Sequence, residues 1–389
     1  MSKTPKLRFK EFSGDWEIKK LGDLANIGTG KKDTQDKVED GIYPFFVRSQ
    51  NIERINSYSF DGEAILTAGD GVGVGKVFHY INGKFDYHQR VYKLSDFTKG
   101  TNGRYIYEYF RKHFIREVTK YTAKTSVDSV RMEMITKMDI PYPSIEEQEK
   151  IASFFSLIDD KISLQGEKLK MLKDYKKGMM QKIFSRELRF KDDEGRDYPE
   201  WNHKKLSSIV ERVTRKNKGT QSTLPLTISA QYGLVDQITF FNKTVASSNL
   251  EGYYLLEKGE FAYNKSYSTG YPFGAIKRLD RYDKGVLSSL YICFSILKNI
   301  DSDFLVQYFE TSCWHKEISM IAVEGARNHG LLNISVSDFF ETYHWIPCYE
   351  EQVKIGKFLN KIDKKINKEQ EKLDSLNEHK KGLLQQMFV

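Results

Sequence analysis

The spacing of apolar residues changes character along the chain and then does so again. Over residues 7–142 and 188–346, short runs rich in aromatic and β-branched residues alternate with glycine-containing turns. Tyr43–Val47, Glu63–Thr67, Gly75–Tyr80, Tyr253–Leu256 and Val286–Leu297 predict strands. Tyr105–Glu117 and Asp303–Ile318 predict helices. After each of these parts the spacing becomes helical. Steps of four and three residues from Ile151 give Ile151, Phe155, Ile158, Ile162, Gln165, Leu169, Leu172, Lys176, Met179 and Ile183. The same steps from Ile355 give Ile355, Leu359, Ile362, Ile366, Glu369, Leu373, Leu376, Lys380, Leu383 and Met387. Only two places in each series are polar, and they are the same two. This is a heptad seam, so two long helices packed on one another are expected.

The two series belong to an internal repeat. Shifting the chain by 204 residues lays Pro143–Phe184 on Pro347–Phe388 without a gap, with 20 of 42 positions identical. Composition alone would give roughly two to four identities. A second echo opens each copy: Leu7-Arg8-Phe9-Lys10 recurs as Leu188-Arg189-Phe190-Lys191. Trp16 and Leu21 follow the first, Trp201 and Leu206 the second. The expected fold class is α+β. Two α/β domains, residues 1–142 and 185–346, alternate with two helical arms, residues 143–184 and 347–389. Both arms start after a proline and carry acids in the first turn, as helix starts favour. An antiparallel coiled coil with a pseudo-two-fold relation between the copies is expected. Its seam is Ile158, Ile162, Leu169 and Leu172 against Ile362, Ile366, Leu373 and Leu376. One symmetric register sets Lys176 opposite Glu369, Lys380 opposite Gln165, and Leu169 near Leu376. An arm of some 40 residues is roughly 60 Å long, enough to hold two readers of a helical surface at a fixed spacing.

Composition narrows the class. With 39% hydrophobic and 13% aromatic residues among 389, the chain can build true cores. Its N-terminal MSKTPKLRFKEF lacks the apolar centre of a signal peptide, and Val286–Leu297 is too short to span a bilayer. Cys293, Cys313 and Cys348 form no C-x-x-C pair, so a reduced, cytoplasmic setting without a membrane partner is expected. The net charge of +8 favours an anionic partner, nucleic acid first among them.

Signatures of chemistry fail one after another. Gly69-Asp70-Gly71-Val72-Gly73-Val74-Gly75-Lys76-Val77 looks like a phosphate loop. However, Asp70 and Val77 stand where that loop needs glycine and a hydroxyl. It reads as a glycine-rich turn close to DNA backbone. Asp139-Ile140-Pro141-Tyr142 resembles an amino-methyltransferase motif, with isoleucine in a proline's place and no cofactor fingerprint beside it. H-E-x-x-H and G-x-S-x-G are absent, and the eight histidines show no metal spacing. No catalytic residue and no metal ligand is assigned. Both globular parts do carry loops mixing cations, amides and aromatics. Arginine and lysine suit phosphates and guanine edges, and asparagine suits adenine. The DNA-contact candidates are Arg48, Asn51, Lys76, Arg90, Lys124 and Ser126 in the first part. In the second they are Lys265, Tyr267, Arg327, Asn328 and His329.

The alternation of variable domain and repeated arm, with P-x-x-E-E-Q-x-K-I at Pro143–Ile151 and Pro347–Ile355, resembles the specificity (S) subunits of Type I restriction–modification systems. The resemblance covers nearly the whole chain. It implies two target recognition domains, each reading one half of an asymmetric bipartite site on double-stranded DNA. It also implies that the arms act as spacer and as docking surface for two modification (M) subunits, with restriction (R) subunits as further partners. Chemistry would then lie elsewhere: S-adenosylmethionine on M for adenine N6 methylation, ATP and magnesium on R, and no cofactor on this chain. Two other readings stand beside it. A coiled-coil adaptor predicts no salt-dependent DNA binding, and an autonomous DNA enzyme predicts methylation or cleavage by the isolated chain.

Overall fold

The computed structural model describes residues 4–121, 129–243, 246–247, 249–267, 270–322 and 332–388. The chain divides into two compact units. Met1–Glu167 with Gln370–Val389 forms one, and Lys168–Glu369 the other.

The first unit holds a six-stranded sheet. Its strand order is Asn26–Thr29, Val91–Ser95, Phe60–Ala68, Phe78–Tyr87, Tyr43–Phe46, Glu53–Ile55. All neighbours are antiparallel except Tyr43–Phe46, which runs parallel to the end of Phe78–Tyr87. After Tyr87 only three residues precede Val91, which pairs with Ala68. That link reaches about 14 Å, less than half of a straight ten-residue strand. The sheet must therefore curl. Gly62 and Gly83 face each other in the register at φ +147° and +144°, a region side chains disfavour, and we assign the bend there. The expected strand Gly75–Tyr80 starts only at Phe78, because Gly75 at φ +70° closes the preceding turn. The helix Gly103–Thr119 packs Tyr105, Ile106, Phe110, Phe114 and Val118 on Trp16, Ile151, Phe155, Met387 and Phe388.

The second unit holds a four-stranded sheet, Val210–Arg212, Ile292–Ile296, Phe261–Asn264, Ala275–Arg278, and three two-stranded ribbons. The run Val286–Leu297 resolves into two strands, Lys284–Leu287 and Ile292–Ile296, each paired elsewhere. The expected helix Asp303–Ile318 is likewise two, Ser302–Phe309 and His315–Ile321. Between them the Thr311 hydroxyl takes the Cys313 amide and Trp314 is buried. Asp139–Tyr142 is an ordinary ribbon strand paired with Glu17–Lys20, and the Pro141 carbonyl accepts the buried Tyr105 hydroxyl.

The repeated residues lock each unit in the same way. Glu147 accepts Arg8 through both oxygens (2.8 and 2.7 Å) and the Trp16 indole N–H (3.2 Å). Glu351 does the same for Arg189 (2.9 and 2.8 Å) and Trp201 (3.1 Å). Gln148 accepts the amide of Asn102, the residue whose side chain caps the Gly103–Thr119 helix. Gln352 accepts the amide of Asp301, the cap of Ser302–Phe309. The second glutamate and the glutamine of each E-E-Q motif are thus buried acceptors tying arm, N-terminal segment and helix cap together.

The arms are the helices Ile145–Phe184 and Tyr349–Met387. On the seam Leu169 and Ile362 are buried, and Ile158, Ile162, Leu172, Ile366, Leu373 and Leu376 are half-buried. Within the first unit Phe155 stacks on Phe388 and Asp159 pairs with Lys380 at 2.6 Å, so these segments run antiparallel. Within the second, Lys168 pairs with Glu369 at 3.1 Å and Lys176 with Asp363 at 2.7 Å, again antiparallel. The register differs from the expected one: Lys176 meets Asp363 rather than Glu369, and Lys380 meets Asp159 rather than Gln165. Each lysine meets the aspartate at the matching place of the opposite arm, Asp363 or Asp159, and Glu369 pairs with Lys168 instead.

Candidate nucleic-acid interface

Strand order alone gathers the basic loops of the first unit. Parallel neighbours end at the same edge, so Phe46 and Tyr87 release residues 47–51 and 88–90 side by side, and the His88 amide donates to the Phe46 carbonyl. The curl then brings the Gly69–Val77 turn to the same place. The Gly69 amide donates to the Arg90 carbonyl at 2.8 Å, and His79 Nε2 lies 3.2 Å from the Ser49 carbonyl. Residues 30–33 close the group. Lys32 bridges to His88, its carbonyl takes the Gln89 amide, and Gln89 donates to Asp33 at 2.9 Å. A Cβ at Gly30 would lie 2.0 Å from the Tyr87 carbonyl oxygen, so only glycine permits this approach.

Arg48, Asn51, Lys76 and Arg90 are exposed on these loops. With Lys31 and Lys32 the cluster sets five cations against the carboxylates Asp33 and Asp70. Arg48 Nη1 lies 2.9 Å from Asp70 Oδ1, and Arg90 Nε 3.7 Å from Asp70 Oδ2. Burial and then the nearby Arg48 charge push His88 below the usual histidine range, so its ring is neutral near pH 7. It accepts the Arg90 amide through Nδ1 at 2.9 Å. Such a surface can bind a phosphate backbone and present planar guanidinium donors to base edges. Sequence reasoning missed Lys31, Lys32, Asp33 and Asp70. The one signal for Asp70 was an acid set between glycines in an otherwise basic loop set.

In the second unit Lys265 follows the strand Phe261–Asn264 and is half-buried. Its ammonium donates to the Ile334 carbonyl at 3.1 Å, and burial lowers its pKa. Tyr267 is exposed. Lys124, Ser126, Arg327, Asn328 and His329 lie outside the described residues. The described residues after those segments return to corresponding places: Val130 donates its amide to the Gly69 carbonyl, and Leu332 to the Lys265 carbonyl. Each acceptor is the residue just after a central strand of its unit.

Residues 13–174, which hold this loop cluster and most of the first arm, match the family profile of the Type I restriction modification DNA specificity domain. Over those residues the chain is similar to that DNA specificity domain. Two curated relatives agree. The specificity subunit of the Type I restriction enzyme EcoDI from Escherichia coli is 33% identical over 138 residues, 36% of this chain and 30% of that one. The MjaVIII specificity subunit of Methanocaldococcus jannaschii is 29% identical over 226 residues, 52% of each chain. The matched part thus spans about half or less of these relatives. The fold extends further. The crystal structure of the Type I S subunit from M. genitalium is similar over 99% of both chains, at TM-score 0.64 and 17% identity. A structure described as showing complex assembly and conformational transition of the Type I system covers 95% of this chain, at TM-score 0.51 and 13% identity. In family terms, the loop cluster lies within the matched specificity domain, and the candidates of the second unit lie beyond it.

Proposed function

We propose that this chain is the DNA sequence-specificity subunit of a Type I restriction–modification complex. Residues 1–142 and 185–346 each read one half of an asymmetric bipartite site. The arms at 143–184 and 347–389 space the readers and carry two M subunits, with R subunits joining for cleavage. The chain itself performs no catalysis. M holds S-adenosylmethionine and methylates adenine N6 on a flipped base, and R uses ATP and magnesium. The observation that carries this reading is the convergence of Arg48, Lys76, Arg90, Lys31 and Lys32 on one edge of a unit within the matched specificity domain.

The test is co-expression with a candidate M subunit from the same genome, followed by single-molecule sequencing of host DNA for N6-methyladenine. The expected result is one new methylated motif of two fixed parts around a fixed gap. No new methylation and no co-purifying partner would overturn the reading in favour of the adaptor. Methylation by the chain alone would overturn it in favour of an autonomous enzyme.

A further inference from the structure

The glycine turn at residues 69–77 is the motif that no catalytic signature absorbed. Its geometry points to a positioning role. We infer that Asp70 orients Arg48 and Arg90 together, and that this turn sets how sharply the first unit discriminates its half-site. The inference rests on the DNA reading above and deepens it.

The turn runs between the two arginine loops at backbone contact. A Cβ at Gly73 would lie 2.6 Å from the Arg48 carbonyl oxygen, and one at Gly69 would lie 3.0 Å from the Arg90 carbonyl oxygen. Gly71 and Gly75 both stand at φ +70°. These glycines let the turn lie flush against both loops. The residue they deliver is Asp70, whose side chain is about three-quarters buried and whose two oxygens face different arginines. Asp70 also bridges to Ser129, and Gly69 takes the Val130 amide, so the turn anchors a third loop end. His88 fixes the Arg90 backbone from the other side.

A free arginine on a loop samples many rotamers and loses that freedom on binding. Asp70 holds Arg48 by a hydrogen bond at 2.9 Å and Arg90 by an ion pair at 3.7 Å, which narrows the directions in which their remaining N–H donors point. That arrangement suits two-point recognition of a guanine edge, which depends on direction more than on charge. Asp70 also removes one unit of positive charge from the cluster, which trims attraction to any phosphate backbone. Both effects favour discrimination over raw affinity.

The experiment uses the full chain co-expressed with its M subunit and compares genomic methylation motifs of wild type, Asp70→Asn and Asp70→Glu. Asp70→Asn keeps the shape and frees both arginines. The expected result is a motif that stays sharp in one half and becomes degenerate in the other. Preference for the best base over its competitors in the affected half should fall by about tenfold. Binding to a duplex without the motif is expected to hold or strengthen, where a merely structural defect would weaken it. Asp70→Glu, which restores a carboxylate, is expected to recover most of the lost preference. An unchanged motif in Asp70→Asn overturns the role of Asp70 and leaves the DNA reading intact. Loss of methylation in both variants with lowered melting temperatures assigns Asp70 to folding alone and also overturns it. No motif from wild type overturns the DNA reading itself.

Discussion

At the scale of single residues, buried histidines give the protein a defined acid limit. His344 accepts a hydrogen bond from the Tyr308 hydroxyl at Nδ1 and donates from Nε2 to Thr342 Oγ1, since that hydroxyl already donates to the Phe339 carbonyl. The ring is therefore neutral, and burial pushes its pKa to about 4. His113 in the first unit, stacked on Tyr109, is likewise pushed to about 4, first by burial and then by Lys112. In the unfolded chain both titrate near 6.5. Between those values the unfolded chain binds protons that the folded chain does not, so stability rises with pH from about 4 to 6.5 and levels off above. Each histidine is expected to remove roughly 2 kcal/mol between pH 6.5 and 5. Urea unfolding at the two pH values checks this: His344→Gln should flatten the slope by about one histidine's share, and an unchanged slope would refute the assignment. These residues were not legible in the sequence, because nothing marks which of eight histidines the fold will bury. Arg48 and Arg90 were legible as cations in loops. Their common partner Asp70 was not, because 20 residues separate it from Arg90 and only the curled sheet joins them.

At the scale of elements, the arms were the most legible part, because the heptad and the shift of 204 residues depend on local spacing alone. The register was not legible, since it turns on charges contributed from outside the seam. Lys380 meets Asp159 and also Glu108, a fully buried acid on the Gly103–Thr119 helix whose oxygens lie within ion-pair distance of Lys380, Arg104 and Arg111. Neither Glu108 oxygen has a hydrogen-bond partner, and burial raises its pKa despite those cations. In the second unit the matching helix offers neutral Gln307, which donates to Asp363 and Asn360 around Lys176. The two units thus run a comparison between a charged and a neutral lining of the same lysine. Glu108→Gln, which copies the second unit, is expected to change stability by less than about 1 kcal/mol, because it removes a poorly satisfied buried charge. Lys380→Met, which strips the partner from two acids, is expected to cost about 3–5 kcal/mol. Chemical denaturation of the two variants decides it: equal losses would mean that the ion cluster acts as one indivisible unit.

At the scale of the whole molecule, the first unit is completed by the far end of the chain. Leu384, Met387 and Phe388 belong to the same core as Trp16, Tyr105 and Phe155. The Phe388 ring meets Tyr105, Tyr109 and Phe155 at 5.5, 5.7 and 5.9 Å. The Leu7 amide donates to the Gln386 carbonyl, and Lys112 donates to the Leu384 carbonyl at 2.6 Å. A sequence read from one end assigns the last arm to the domain before it, and only the antiparallel pairing returns its second half to the first unit. Deleting residues 379–389 should therefore damage a domain more than 200 residues away along the chain. One large core side chain lost costs about 3–5 kcal/mol, and here three leave together with Lys380. Hydrogen exchange of the truncated chain is expected to show lost protection across Gly103–Thr119. The paired strands Phe261–Asn264 and Ile292–Ile296 of the second unit should keep theirs, since their core draws on the arm only as far as Ile366. Protection lost first in the second unit would mean that the tail belongs to its sequence neighbour. Equal loss in both units would mean that the two fold as one cooperative body rather than as the separate units their cores describe.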